Sequence, residues 1–209
     1  LAIRPQPMGR KDMLRLKEAG VDSFTMQMEV WDPRLFEEVC PGKAKSRGRD
    51  GYIEAFHAAV DVFGAGSVGC NFVGGVTLVA AGGHKTWQEA RDSHAEGDRW
   101  MTKNGVWSIY TPLRLQPGSI YGDVPANQNK YPPTEFYLEV NLANHQAMKE
   151  YGFYQKLNKF TWCAMDCMDV NYSGEIGMLE LAGNIGNWLS DAVPDEANWL
   201  AKFISSMNK

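Results

Sequence analysis

Residues 20–42 read GVDSFTMQMEVWDPRLFEEVCPG, and the alternation at the centre of this stretch decides the fold. Phe24, Met26, Met28 and Val30 fall on one side, and Thr25, Gln27 and Glu29 on the other. Period-two alternation is the mark of a strand with two unlike faces, whereas a helix would scatter the four apolar side chains around its circumference. The stretch therefore predicts a strand with one greasy face and one face of hydroxyl, amide and carboxylate groups.

Upstream, residues 1–4 predict a short strand that runs into the Pro5–Gln6–Pro7 break, and residues 11–19 a helix stopped by Gly20. Downstream, Asp32 before Pro33 starts a turn of helix by the N-cap and N1-proline rule. Pro41–Gly42 should end it, leaving residues 43–49 as an exposed basic loop. Asp50 is expected to cap a helix in which Ile53, Phe56, Val60 and Phe63 recur at helical spacing. A strand over 68–73 ends in Gly74–Gly75, and a glycine-bearing loop follows at 80–83. Thr86 and Glu89 then form a capping box, for a helix with Trp87, Ala90, His94 and Met101 on one face. A strand over 106–110 leads into a Pro/Gly/Asn-rich loop, 111–133, suited to a lid or contact surface. Thr134 is expected to cap a helix running to 151 and stopped by Gly152, and the rest of the chain reads as helical.

Strands thus alternate with helices through residue 151, the pattern of parallel strands joined by helical crossovers. A parallel strand in an open sheet is usually apolar on both faces because helices cover both. The Thr25–Gln27–Glu29 face instead suits the inside of a barrel near its functional end. The expected fold is α/β, a partial (β/α) barrel (the second half of a TIM-like barrel) over residues 1–152, followed by a helical C-terminal region over 153–209. The opening at Leu1, already strand-like, suggests a piece whose natural start lies elsewhere.

Of the 209 residues, 44% are apolar and 22% charged, as in an ordinary globular protein. The net charge of −4, which no Lys/Arg cluster overrides, disfavours a nucleic-acid partner. No apolar run approaches the ~18–20 residues that span a bilayer, and no charged-then-apolar leader opens the chain. Cys40, Cys70, Cys163 and Cys167 lack the spacing of a disulfide framework, which points to a reducing, cytoplasmic setting.

Several residue groups are suited to chemistry. Gln27 and Glu29 can accept from an ammonium or from ribose hydroxyls, although a solvated strand face is the plainer reading. Arg49 offers a fork for a carboxylate, against the alternative of a solvated loop. Gly74 and Gly75 at a strand end allow close backbone approach. Cys163 and Cys167 share a helix face, more often a sign of core than of metal. His57, His94 and His145 fall within helices, without partners at ligand spacing.

The run LKEAGVDSFTMQMEVWD, then Arg49 before a helix, then VGCNFVGG and WSIYTPLRLQPGS, resembles the C-terminal half of the radical S-adenosylmethionine enzymes, nearest the biotin synthase branch. The resemblance covers roughly residues 1–150 and rests on the order of several motifs. It implies that Thr25, Gln27 and Glu29 face the cofactor or substrate, that Arg49 holds the cofactor's carboxylate, and that Asn71, Gly74 and Gly75 line its adenosine side. It also implies S-adenosylmethionine and a [4Fe–4S] cluster as cofactors, with a small-molecule substrate. The family's C-x3-C-x2-C cluster motif has no counterpart here, so the cluster is expected on an N-terminal half or companion chain.

A second pattern is DVNYSGEIGMLE at 169–180. It places Asp169, Asn171, Ser173, the carbonyl of Glu175, and Glu180 at calcium-ligating positions of an EF-hand loop, with Gly174 at the sharp turn. No second loop pairs with it, and an acidic turn capping a helix is the plainer reading. The leading expectation is a C-terminal portion of a radical S-adenosylmethionine enzyme. Its rival is a non-catalytic α/β scaffold carrying a calcium-binding helical module.

Overall fold

The computed structural model describes residues 1–128 and 130–157. The 169–180 loop, Cys163, Cys167 and most of the expected helical region lie outside them.

Four parallel strands form one sheet in the order β1-β2-β3-β4: β1 Ala2–Ile3, β2 Ser23–Glu29, β3 Val68–Gly74 and β4 Val106–Pro112. The crossovers are helical. Helix α1 (Arg10–Glu18) joins β1 to β2. Helices α2 (Pro33–Val39), α3 (Pro41–Ser46) and α4 (Gly48–Phe63) join β2 to β3. Helix α5 (Trp87–Lys103) joins β3 to β4, and α6 (Thr134–Glu150) follows β4. The described residues are therefore a mixed α/β fold built on a parallel sheet. No helix among them is long and apolar enough to cross a membrane.

The apolar face of β2 is the centre of the core. Phe24, Met26 and Met28 are wholly buried, and Phe24 stacks on Phe63 of α4 with ring centroids 5.1 Å apart. Each such side chain contributes about 1.5–3 kcal/mol by leaving water. Register continues the two-faced pattern into β3, with Thr25 beside Gly69 and Gln27 beside Asn71. Gly69 is required there, because a Cβ would lie 2.3 Å from the Trp107 ring of β4.

Helix boundaries depart from expectation at three places. Residues 43–49 are not a loop: Pro41 opens α3 instead of ending α2, and Arg47 and Gly48 (φ 70) make the break before α4. Pro at N1 is preorganised to start a helix, and here that role wins over chain termination. Asp50 consequently lies in the first turn of α4, with Arg47 at the N-cap. Thr134 is likewise the first helical residue of α6, because Pro133 occupies its N-cap. The other two helix starts form as read. Asp32 accepts from the Arg34 N–H at 2.8 Å, and Thr86 and Glu89 make the reciprocal capping box.

Candidate functional site

The C-terminal end of β2 is irregular where its polar residues sit. The register with β3 shifts between Gln27 and Glu29, and Glu29 adopts a left-handed conformation, φ 71. Glu29 is the one non-glycine residue with positive φ among the described residues. Such a conformation costs on the order of 1–3 kcal/mol and persists only where surroundings impose it. Here α3 does so. Lys43 Nζ donates to the Glu29 carboxylate at 2.5 Å and to the Gln27 carbonyl at 2.6 Å, bridging the two sides of the bulge. Lys43 and Glu29 are each about four-fifths buried, so the pair is better shielded than a surface ion pair.

Two residues on, Trp31 receives Arg49. The Arg49 Nε–H donates to the Trp31 carbonyl at 3.1 Å, and the guanidinium lies 4.4 Å from the centre of the Trp31 ring. Burial pulls its pKa below the ordinary arginine value, with Asp50, Glu96 and Asp32 opposing that shift. Trp31 is held in turn by Trp100, at 5.4 Å between centroids, and by Gly97 of α5, where a Cβ would come within 2.8 Å of its ring.

The remaining residues named from sequence divide into groups. Thr25 and Asn71 are buried and Gln27 is exposed, all on one sheet face. The Asn71 amide donates to the Thr111 hydroxyl of β4 at 3.2 Å. Glu29 and Gly75 share a crevice of about 10 Å³ with Thr77, Ser93 and His94, room for roughly one water. Gly74 and Gly75 are approached by protein: a Cβ on Gly74 would lie 2.9 Å from Tyr110, and one on Gly75 2.2 Å from Pro132. Arg49 stands apart, on Trp31.

Three features escape a reading of local pattern. Lys43 is invisible without the α3 fold. Asp32, besides capping α2, lies 3.3 Å from Nε2 of His84. Burial opposes the charge on Asp32, but hydrogen bonds and the charge of Arg34, with His84, hold its carboxyl below the ordinary range. His84 Nδ1 is buried with no hydrogen-bond partner among the described residues. The third feature is a cavity of about 630 Å³ between the loops that follow β3 and β4.

The described residues contain no group of three or more His, Cys, Asp or Glu that could hold a metal ion. Cys40 and Cys70 are free and buried, and burial pushes Cys40 up to about 11 and Cys70 well above the ordinary thiol value. They do not fit a cluster, which needs accessible thiolates. At the end of β2 the Glu29 carboxylate is engaged by Lys43, the Gln27 amide is exposed, and the Arg49 guanidinium lies against the Trp31 ring.

No protein-family model matches the chain. A stretch of 63 residues, 30% of the chain, is 33% identical to bacteriochlorophyllide c C-7(1)-hydroxylase of Chlorobaculum limnaeum. That stretch spans 16% of the hydroxylase's length. Among solved structures, a morphinone reductase variant in complex with tetrahydroNAD aligns over 64% of this chain and 34% of its own, with 15% identity and a TM-score of 0.40.

Proposed function

We propose that this chain forms the C-terminal portion of a radical S-adenosylmethionine enzyme, contributing part of a (β/α) barrel and one wall of the cofactor and substrate cavity. The reading is supported by the order of its sequence motifs and by the stretch shared with a hydroxylase, an enzyme named for oxidising a carbon centre. The observation that carries it is the left-handed Glu29 at the β2 bulge. Strain at an otherwise ordinary strand end marks a place where side-chain direction matters more than backbone energy.

In this reading Glu29 accepts from the amino-acid or ribose part of the cofactor, Gln27 accepts from it and donates to it, and Arg49 meets its carboxylate. Bound S-adenosylmethionine would supply reductive radical chemistry from its sulfonium group. This chain positions and shields, and the [4Fe–4S] cluster belongs to an N-terminal half or companion chain bearing C-x3-C-x2-C.

Equilibrium dialysis of radiolabelled S-adenosylmethionine, with the full chain alone and with a cluster-bearing partner under anaerobic conditions, tests the reading. Saturable binding is expected, weakened about tenfold or more in Glu29→Gln, the size of a lost charge-assisted hydrogen bond. No saturable binding in either mixture, or binding indifferent to Glu29→Gln and Arg49→Gln together, would remove it.

A further inference from the structure

The 630 Å³ cavity is separate from the β2 polar face, since Thr25, Gln27, Glu29 and Asn71 do not line it. Its size falls in the range of small-molecule sites, roughly 300–1,000 Å³. Its walls are pinned. The Asn127 amide donates to the carbonyls of Val79, at 3.3 Å, and Tyr121, at 3.2 Å, tying the two loops together. Glu38 of α2 accepts from the backbone N–H groups of Ala81 and Gly82, and the His84 N–H donates to the Thr77 carbonyl at 2.9 Å.

The lining is aromatic and aliphatic, with Trp87, Tyr121 and Tyr131 joined by Leu78, Ile120 and Val124. Ile120, Val124 and Tyr131 are 79%, 40% and 50% exposed. Single exposed apolar residues are ordinary, but three on one rim mark a surface that a ligand would cover. The charges on the wall are unequal. Lys85 and Lys130 have no ion-pair partner among the described residues, while both oxygens of Glu38, the carboxylate of the lining, are occupied by backbone N–H groups. His84 also lines the cavity, with its ring set by Asp32 and its Nδ1 enclosed away from the open space.

We propose that this cavity binds an aromatic organic anion, its rings against Trp87, Tyr121 and Tyr131 and its acidic group toward Lys85 and Lys130. The site goes beyond the S-adenosylmethionine reading and does not depend on it. Aromatic walls hold a flat apolar body by area and ring geometry. Two exposed ammonium groups beside an apolar cleft attract an anion, most strongly at low ionic strength.

Fluorescence titration of the full chain with 1-anilinonaphthalene-8-sulfonate tests this, with uncharged N-phenyl-1-naphthylamine as its counterpart. One saturable sulfonate site is expected. The double variant Lys85→Gln/Lys130→Gln should weaken the sulfonate about tenfold and the neutral probe less than twofold. Ala126→Trp, at an exposed lining position, should fill the space and weaken both probes, with Tyr131→Ala as a second disruption should that variant misfold by circular dichroism. Absence of a saturable site, equal binding to the filled and unfilled proteins, or a lysine variant that leaves the charged probe unaffected would each overturn the proposal. None of these readouts involves S-adenosylmethionine, so the two readings stand or fall separately.

Discussion

His94 and Asp98 lie one helical turn apart on α5, both buried, with Nε2 3.7 Å from Oδ2. The His94 ring is enclosed by Phe72, Tyr110 and Phe136 at centroid distances of 5.2, 5.4 and 6.5 Å. Burial pushes Asp98 up to about 7, opposed by the Ser108 hydroxyl of β4, and pulls His94 down to about 4. The two effects on stability have opposite sign. Between about pH 4 and 7, folded Asp98 holds a proton that the unfolded chain has released, so its contribution is lost as pH rises. Between about pH 4 and 6.5, the unfolded chain binds a proton that folded His94 refuses, so stability from this group grows as pH rises. The wild type should therefore show a nearly flat profile from about pH 4 to 6.5. Removing either partner exposes the other. Asp98→Asn should gain stability with rising pH up to about 6.5, and His94→Gln should lose it up to about 7. The change is on the order of 3 kcal/mol for Asp98→Asn, which leaves His94, and on the order of 4 kcal/mol for His94→Gln, which leaves Asp98, at ~1.4 kcal/mol per unit of displaced pKa. Urea midpoints measured across that range provide the check, and three parallel profiles would refute the opposition.

At the level of elements, close approach and caps decide what can change. A methyl on Gly69 meets the Trp107 ring across the β3–β4 pair, so Gly69→Ala should cost about 1–3 kcal/mol by overpacking. Thr86→Ala removes one arm of a capping box and should lower stability by about 1 kcal/mol. Thr134→Ala should be close to neutral in the same thermal melts, because Thr134 caps nothing. If the two threonine variants melt alike, the assigned helix start is wrong. This contrast shows how far local pattern reaches. Alternation placed β2, and the Thr86–Glu89 spacing placed the start of α5, because each depends on neighbours within a few residues. Pro41 and Thr134 each suit two roles: Pro41 can close one helix or open the next, and Pro133 takes the N-cap position ahead of Thr134. The β2 bulge left no mark in the alternation, which runs unbroken through Glu29 while the backbone beneath it changes hand.

Across the whole molecule, the legible part of the candidate site is the part lying along single strands. Gln27 follows from alternation and Asn71 only from the family resemblance, and the two pair across β2 and β3. The Asp32–His84 contact, the Lys43 bridge and the cavity between two loops arise from segments distant in sequence, which no local spacing joins. Sheet order carries the last consequence. Strand β3 is paired on both sides from Val68 to Phe72, whereas β1 contributes two residues and has no strand on its outer edge among the described residues. An unpaired edge of a parallel sheet is a place for another strand to add. Native-state hydrogen exchange should accordingly find the amides of β3 slowest and the outward-pointing amide of β1 among the fastest. If a cluster-bearing partner completes a barrel at this edge, mixing should slow the β1 amide while β3, already protected, stays unchanged. A mixture that forms 5′-deoxyadenosine yet leaves β1 exchange unaltered would show that the partner docks elsewhere, and that the barrel does not close through β1.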